Sequence, residues 1–292
     1  MARPELEFSG GILKMAPLFS VIVLSYCSER YLKTVLDSIF AQDYPAIELI
    51  VSDDGTPNFD AVAVTEQISQ RGGDKLVRYI VLTHTENLGT VASFNRAVQE
   101  AKGQYIKVIA ADDALYDAQA LSNAARVLQE SGAEIVAARV MKCDKEMRPI
   151  APMGDRFLRG LAKKNAGQVW RRLCIHNALP AAGIFFSRVF FEHYGLVDNR
   201  YRLLEDWPTW LRVTRQGCNI AFGDFMAAKY RADSGSATGI QPAYLRDKIL
   251  TFETEIRPYR SQLGFMRYLL ALCSLRVRDS YVLRKIYGLI RR

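Results

Sequence analysis

Two pairs of adjacent carboxylates, Asp53-Asp54 and Asp112-Asp113, each follow a short apolar run, Ile47 to Val51 and Tyr105 to Ala110. Adjacent ionised carboxylates repel each other unless a cation or hydrogen-bond donors relieve them. Hard oxygens in this number suit Mg²⁺ or Mn²⁺, and such an ion can bridge a diphosphate. An acid at a strand end also serves simply as a helix cap. For either pair alone the two readings weigh about evenly, and two pairs at one sheet edge favour the cation. Asp206, in Glu205-Asp206-Trp207-Pro208, heads a segment in which Trp207, Trp210, Leu211 and Thr214 share helical spacing. It is either an N-cap or a carboxylate placed to accept a proton, kept ionised by the helix dipole. Trp207 and Trp210 read as core residues rather than sugar platforms.

The elements that must carry these acids alternate with a regular beat. Phe19 to Leu24 is fit for a strand buried on both faces. Ser28 stands where it can cap a helix through Tyr31, Leu32, Val35, Leu36, Ile39 and Phe40. Strand signals recur at 47–51, 76–82, 105–110 and 134–140, with helical spacing at 61–69, 91–101 and 115–128. Gly103 reads as the glycine just beyond a helix end. Repeated strand-helix-strand units predict a mainly parallel sheet with helices on both faces, and ligands in such sheets bind outside the carboxyl ends of the strands. Residues 144–180 are less regular and are expected to cover one side of a cleft. After Gly183 come a short strand, a helix over 188–193, and two short strands near 219–222 and 226–230. The chain divides into an N-terminal extension (1–16), a catalytic domain (17–240) and a basic helical region (241–292).

With 49% apolar and 24% charged residues, the 292-residue chain has globular composition and length enough for a large core. Five scattered cysteines, none in a C-x-x-C pair, and three distant histidines argue against a disulfide framework or a zinc site and for a reducing, cytoplasmic compartment. No apolar run approaches the ~20 residues needed to span a bilayer, and the first 16 residues lack the pattern of a signal peptide. The net charge of +8 resides in the tail: Arg257 to Arg292 holds nine basic residues and one acid, leaving the preceding chain balanced. Val282, Ile286 and Leu289 would form one helical face there, with Arg284 and Arg291 nearly opposite. Such a helix fits an anionic membrane surface, and equally a helix packed on the catalytic domain with a solvated basic face. No nucleic-acid-binding motif accompanies the charge.

Taken in order, Phe19-Ser20-Val21-Ile22-Val23-Leu24-Ser25-Tyr26, Val51-Ser52-Asp53-Asp54-Gly55-Thr56, Asn87-Leu88-Gly89, Asn95 with Ala97, Gly103-Gln104-Tyr105-Ile106, Ala111-Asp112-Asp113, and Leu204-Glu205-Asp206-Trp207 with Arg212 resemble family 2 glycosyltransferases of the GT-A fold. The likeness runs from about Pro17 to Ser236. Each motif is weak alone, and the set is strong. The resemblance implies a metal-dependent, inverting enzyme that moves a sugar from a UDP- or dTDP-sugar to an acceptor hydroxyl. Assembly of a bacterial surface polysaccharide or lipopolysaccharide on a glycan or lipid-linked acceptor is the expected setting, in the cytoplasm or at the inner membrane face. Tyr26 would stack on the nucleobase; Asp54, with Asp53 beside it, would accept a hydrogen bond from the base ring; Asp112 would touch the ribose; and Ser25 and Asn87 would also bind the nucleotide sugar. Asp113 would hold the metal, and Asp206 would be the catalytic base. In Tyr230-Arg231-Ala232-Asp233-Ser234, Arg231 would contact phosphate and Asp233, where relatives carry His, would add a metal ligand; an ordinary polar loop is an equal reading. Cys27 stands where relatives often have Asn, which reads as a packing change. A catalytically inactive, nucleotide-sugar-binding or scaffolding relative remains the alternative. A dehydrogenase would need G-x-G-x-x-G where Ser25-Tyr26-Cys27-Ser28-Glu29-Arg30 stands. A sugar nucleotidylyltransferase would need a glycine-rich, basic first loop, which is also missing there.

Overall fold

A computed structural model describes residues 16–232 and 242–276. Four parallel strands, β1 (Phe19–Ser25), β2 (Ile47–Asp53), β3 (Leu76–Thr83) and β4 (Tyr105–Ala110), are connected by α1 (Glu29–Phe40), α2 (Ala61–Arg71) and α3 (Thr90–Glu100). The two-residue β5 (Ala114–Leu115) precedes α4 (Ala120–Ser131), and β6 (Ile135–Cys143) pairs with the hairpin strand β7 (Pro149–Met153). The chain continues through α5 (Asp155–Arg159), α6 (Ala166–Leu173), β8 (Ile184–Ser187), α7 (Arg188–Tyr194), α8 (Trp207–Arg215), β9 (Ile220–Arg231), α9 (Pro242–Thr251), α10 (Arg260–Leu263) and α11 (Phe265–Arg276). The sheet runs β3-β2-β1-β4-β8-β6-β9-β5, with β7 beside β6. This is the GT-A arrangement of a mixed sheet flanked by helices.

Alternation along β1 shows why its apolar run is continuous. Ile22 enters one core while Val21 and Val23 enter the other, so both faces of the strand are dry. Leu32, Val35, Leu36 and Ile39 of α1 pack on one face with Leu121, Ala124 and Leu128 of α4. Phe94 and Val98 of α3 pack on the other with Trp170, Leu173, Trp207 and Trp210. Both tryptophans of the Glu-Asp-Trp segment are therefore core, as their spacing implied. Phe252, Ile256, Leu263 and Ala271 join that same core, so the stretch expected as a separate basic region begins with helices built into the catalytic body.

Several local expectations change. Ala114–Leu115 is a strand, pairing antiparallel with β9, and helix α4 starts only at Ala120. The two short strands expected near 219–222 and 226–230 are one bent strand, β9, whose pairing with β6 shifts register beside Arg139. β8 runs antiparallel to both neighbours. Ser28 occupies the N-cap position of α1, yet its hydroxyl donates to the Tyr26 carbonyl at 2.9 Å instead of accepting from the helix. Gly103 is needed for closeness rather than helix termination: a Cβ there would lie 2.5 Å from the Ser20 backbone nitrogen of β1.

Candidate active site

After β1 the chain visits β2 and β3 on one side, then returns across β1 to β4 on the other. This reversal of strand order opens a crevice at the carboxyl ends of β1 and β4, the place where open α/β sheets bind ligands. A cavity of about 1430 Å³ lies here, lined among others by Ser25, Tyr26, Asp54, Asn87, Asp112, Asp113, Glu205 and Asp206. Acids separated by some 150 residues of chain thus share one chamber, and Tyr26 keeps nearly half its surface exposed at its edge.

Asp54 organises the β2 side. Its carboxylate accepts the backbone N–H of Leu88 at 3.0 Å and of Gly89 at 2.8 Å, and His84 Nδ1 lies 3.0 Å from Oδ1. The Asn-Leu-Gly turn is therefore folded onto the carboxylate. Gly89 has φ of 98°, and a Cβ there would meet the Arg202 carbonyl oxygen at 2.5 Å, so only glycine fits. Arg202 closes the arrangement by donating to the Asn87 carbonyl and side-chain oxygens, both at 2.7 Å. Asp53 points elsewhere: both its oxygens receive Thr56, whose hydroxyl in turn accepts the Cys27 N–H at 2.8 Å. It is not among the cavity-lining residues. Cys27 has φ of 48°, a left-handed conformation that asparagine adopts more readily than most residues. The position where the resembled family often has Asn thus makes a backbone demand, and here a cysteine meets it.

Asp113 on the β4 side is buried, and its carboxyl is pushed up to about 8, first by burial and then by the adjacent Asp112. The Arg231 N–H, 2.9 Å from Oδ1, and the Lys107 ammonium oppose that shift. Lys107 is fully buried beneath the turn, bonded to the carbonyls of Ala182 (2.5 Å) and Ile184 (3.2 Å), and burial pulls its ammonium down to about 7. The Arg231 guanidinium, expected at a phosphate, is buried outside the cavity lining. It donates to the carbonyls of Asp112 and Lys145 and lies 4.6 Å over the Tyr31 ring, so it braces the acidic turn from behind. Asp233 lies outside the described residues, as does the apolar stripe Val282, Ile286 and Leu289. Among the described residues no group of three or more His, Cys, Asp and Glu side chains converges as a complete metal cage.

Asp206 holds the N-cap position expected in one reading of its sequence, heading α8 with one oxygen accepting the Trp207 N–H at 2.5 Å, and it also lines the cavity. Its second oxygen accepts from Asn177 Nδ2 at 2.5 Å. The helix end does favour the ionised form, through the Trp207 N–H, but burial acts against it. Burial raises its pKa, and the Trp207 and Asn177 donors only partly compensate. Glu205 beside it is pushed up to about 8, first by burial and then by Asp206, so near neutrality Glu205 holds the proton. The loop bearing the pair is anchored from α9: one oxygen of the fully buried Asp247 accepts the N–H groups of Arg202, Leu203 and Leu204 at 2.8, 2.6 and 3.2 Å. Asn177, Arg202 and Asp247 carry no sequence signal that singles them out; they matter through contacts 29 to 115 residues away.

An open mixed sheet with nucleotide-sized space and acids at its switch point defines a GT-A glycosyltransferase domain. The chain belongs to glycosyl transferase family 2, whose profile matches residues 20–190. An uncharacterised glycosyltransferase of Haemophilus influenzae is 25% identical over 248 residues, 78% of this chain and 69% of the relative. S. aureus TarS superposes with a TM-score of 0.61 at 18% identity over 89% of this chain and 43% of its own, so this chain spans less than half of TarS. The mannosyltransferase PcManGT of Pyrobaculum calidifontis, solved with GDP-Man and Mn²⁺, gives 0.63 at 18% identity, covering 94% of this chain and 79% of PcManGT. At these identities the structural likenesses show the fold.

Proposed function

We propose that the protein is a metal-dependent, inverting glycosyltransferase that transfers a sugar from a nucleoside-diphosphate sugar to an acceptor hydroxyl in bacterial surface-glycan synthesis. The observation that carries this reading is the single cavity shared by Tyr26, Asp54, Asp112, Asp113 and Asp206. Its volume exceeds the roughly 300–1,000 Å³ of an ordinary small-molecule pocket, leaving room for donor and acceptor together. Related folds have been captured with UDP-GlcNAc (TarS 1–349) and with GDP-Man and Mn²⁺ (PcManGT).

Tyr26 supports the nucleobase by stacking. A carboxylate offers about four acceptor positions, and three at Asp54 are taken by Leu88, Gly89 and His84, leaving one for a base N–H. Asp112 and Asp113 suit Mg²⁺ or Mn²⁺, which typically uses one or two carboxylates plus substrate phosphates. A carboxyl raised to about 8, first by burial and then by a like-charged neighbour, is a site whose strain a cation relieves. When bound, the ion would stabilise charge on the departing nucleoside diphosphate. Asp206 takes the acceptor proton, held in place by Trp207 and Asn177, and attack from the face opposite the leaving group inverts the anomeric centre. UDP or dTDP with Mn²⁺ is expected to raise the melting temperature, an effect absent with EDTA and in Asp113→Asn. An equal rise without metal would remove the cation from this scheme.

Peripheral membrane contact is proposed on similar grounds. α11 opens with the exposed Phe265 and Met266, and the region from Arg257 onward carries all the net charge. Among the described residues no helix is long and apolar enough to cross a membrane. The protein should therefore co-sediment with vesicles rich in phosphatidylglycerol and be released by salt. Equal binding to neutral vesicles, or none to either, would overturn the assignment. An inactive, nucleotide-sugar-binding relative would bind donor without turnover.

A further inference from the structure

The residues before Arg257 carry no net charge, yet 155–172 holds six basic residues, Arg156, Arg159, Lys163, Lys164, Arg171 and Arg172, against the single acid Asp155. Asp155 is already committed: Arg139 reaches it at 2.6 Å and Arg159 at 2.8 Å. Arg156, Lys164 and Arg172 are exposed, and all three line the cavity. None forms an ion pair with a carboxylate of the described residues, and the Lys164 ammonium bonds the Gly160 carbonyl at 3.1 Å. The contrast with Arg126, Arg148, Arg200, Arg215 and Arg257, each paired with an acid, is sharp. Three like charges lining one chamber without an ion-pair partner raise its local positive potential, and an anion relieves it.

The fold also decides which substrate meets this wall. The diphosphate of the donor belongs at Asp112 and Asp113, where the protein supplies acids and a cation must mediate. The basic wall belongs to the segment joined to the catalytic loop. The Leu173 carbonyl, next to Arg172, accepts the Trp207 indole N–H at 2.8 Å, and Asn177 holds Asp206. Whatever presents its hydroxyl to Asp206 therefore shares the chamber with Arg172, one residue along α6 from a direct contact of the Asp206 loop. We propose that Arg156, Lys164 and Arg172 form an anion subsite for a phosphate group carried by the acceptor close to the hydroxyl that is glycosylated. The inference rests on the glycosyltransferase reading and deepens it by naming the chemical class of the acceptor. Two sources offer that chemistry, a lipid carrier diphosphate and a phosphodiester within an anionic glycan.

The test uses the full chain saturated with UDP and Mg²⁺, titrated in turn with butyl diphosphate, bis(glycerol) phosphate and butanol. At least one phosphate probe should bind roughly tenfold or more tightly than butanol, and tighter binding falling away with salt. Preference for the diphosphate marks a lipid carrier, and preference for the diester marks an anionic polymer. The double variant Arg156→Gln/Arg172→Gln should lose roughly tenfold in that affinity while its UDP affinity stays unchanged. Equal affinity for charged and neutral probes overturns the proposal, as does a variant that binds phosphate like the parent. A variant that loses UDP affinity in step shows that the wall serves the donor, which also overturns it. Failure of the parent itself to bind UDP would instead strike the glycosyltransferase reading. Both arginines are exposed, so the variants are expected to fold, which circular dichroism checks.

Discussion

Replacing Asp206 by asparagine should lower kcat by about 10²–10⁴-fold, the range general-base groups contribute, while leaving donor binding and stability nearly intact. The separation of effects follows from the two duties of the side chain. Asparagine caps helix N-termini about as well as aspartate, so the bond to the Trp207 N–H survives the change. Asn177 can turn its amide to present oxygen where it now presents nitrogen, so the second contact survives too. Only the capacity to take a proton is lost. Full activity in Asp206→Asn, measured as transfer from a nucleotide sugar, would remove the base assignment.

The neighbouring Glu205 makes the pH profile informative. Because burial lifts the pKa of Asp206, the acid limb of kcat/KM should lie above the usual carboxylate range, with activity falling as pH drops and Asp206 becomes protonated. Glu205 holds its own proton up to about 8, so it is neutral throughout that limb. Glu205→Gln should therefore leave the limb in place. A shift to lower pH by about one unit would show that Glu205 is ionised beside Asp206 and that the pair divides its charge differently.

Much of this site is legible in the sequence because its parts sit at strand ends. Continuous apolar runs give β1, β2 and β4, and the acids just beyond β2 and β4 must lie on one rim because those strands are parallel. Asp54, Asp112 and Asp113 are found together for that reason, whereas Asp206 reaches the same cavity from the N-cap of α8. Other features have no local signature. The direction of β8 depends on how residues 144–180 cross over, which no short-range pattern encodes. Lys107 stands in a run that otherwise reads as apolar strand, and only the fold shows that two carbonyls receive its ammonium. The Arg231 side chain illustrates the opposite error. The resemblance implies a phosphate contact for it, whereas the antiparallel pairing of β5 with β9 brings the end of β9 behind the acidic turn and turns the guanidinium into a brace.

The second large effect is expected at Asp247, a residue that no motif marks. One of its oxygens gathers three backbone N–H groups from the bent loop leading to Glu205-Asp206, and the side chain does so with no exposed surface. In Asp247→Ala those donors lose their acceptor. Each buried donor left unsatisfied costs about 1–3 kcal/mol, with the three not fully additive, so a loss of about 3 kcal/mol and a fall of roughly 6–12 °C in melting temperature follow. Measured well below that melting temperature, kcat should still drop by ~10-fold or more, because a displacement of about 1 Å in a positioned catalytic group is enough. Asp247→Asn tests the mechanism, since its amide oxygen can accept the same three donors. Its NH₂ group can occupy the position of Oδ1, which has no hydrogen-bond partner to be displaced. Most of the stability and rate should return in that variant. If Asp247→Ala instead loses stability while keeping kcat, α9 is only a brace for the core and the loop finds its own geometry. If both variants lose kcat equally with their folds intact, the negative charge itself acts on the site, and the hydrogen-bond argument fails.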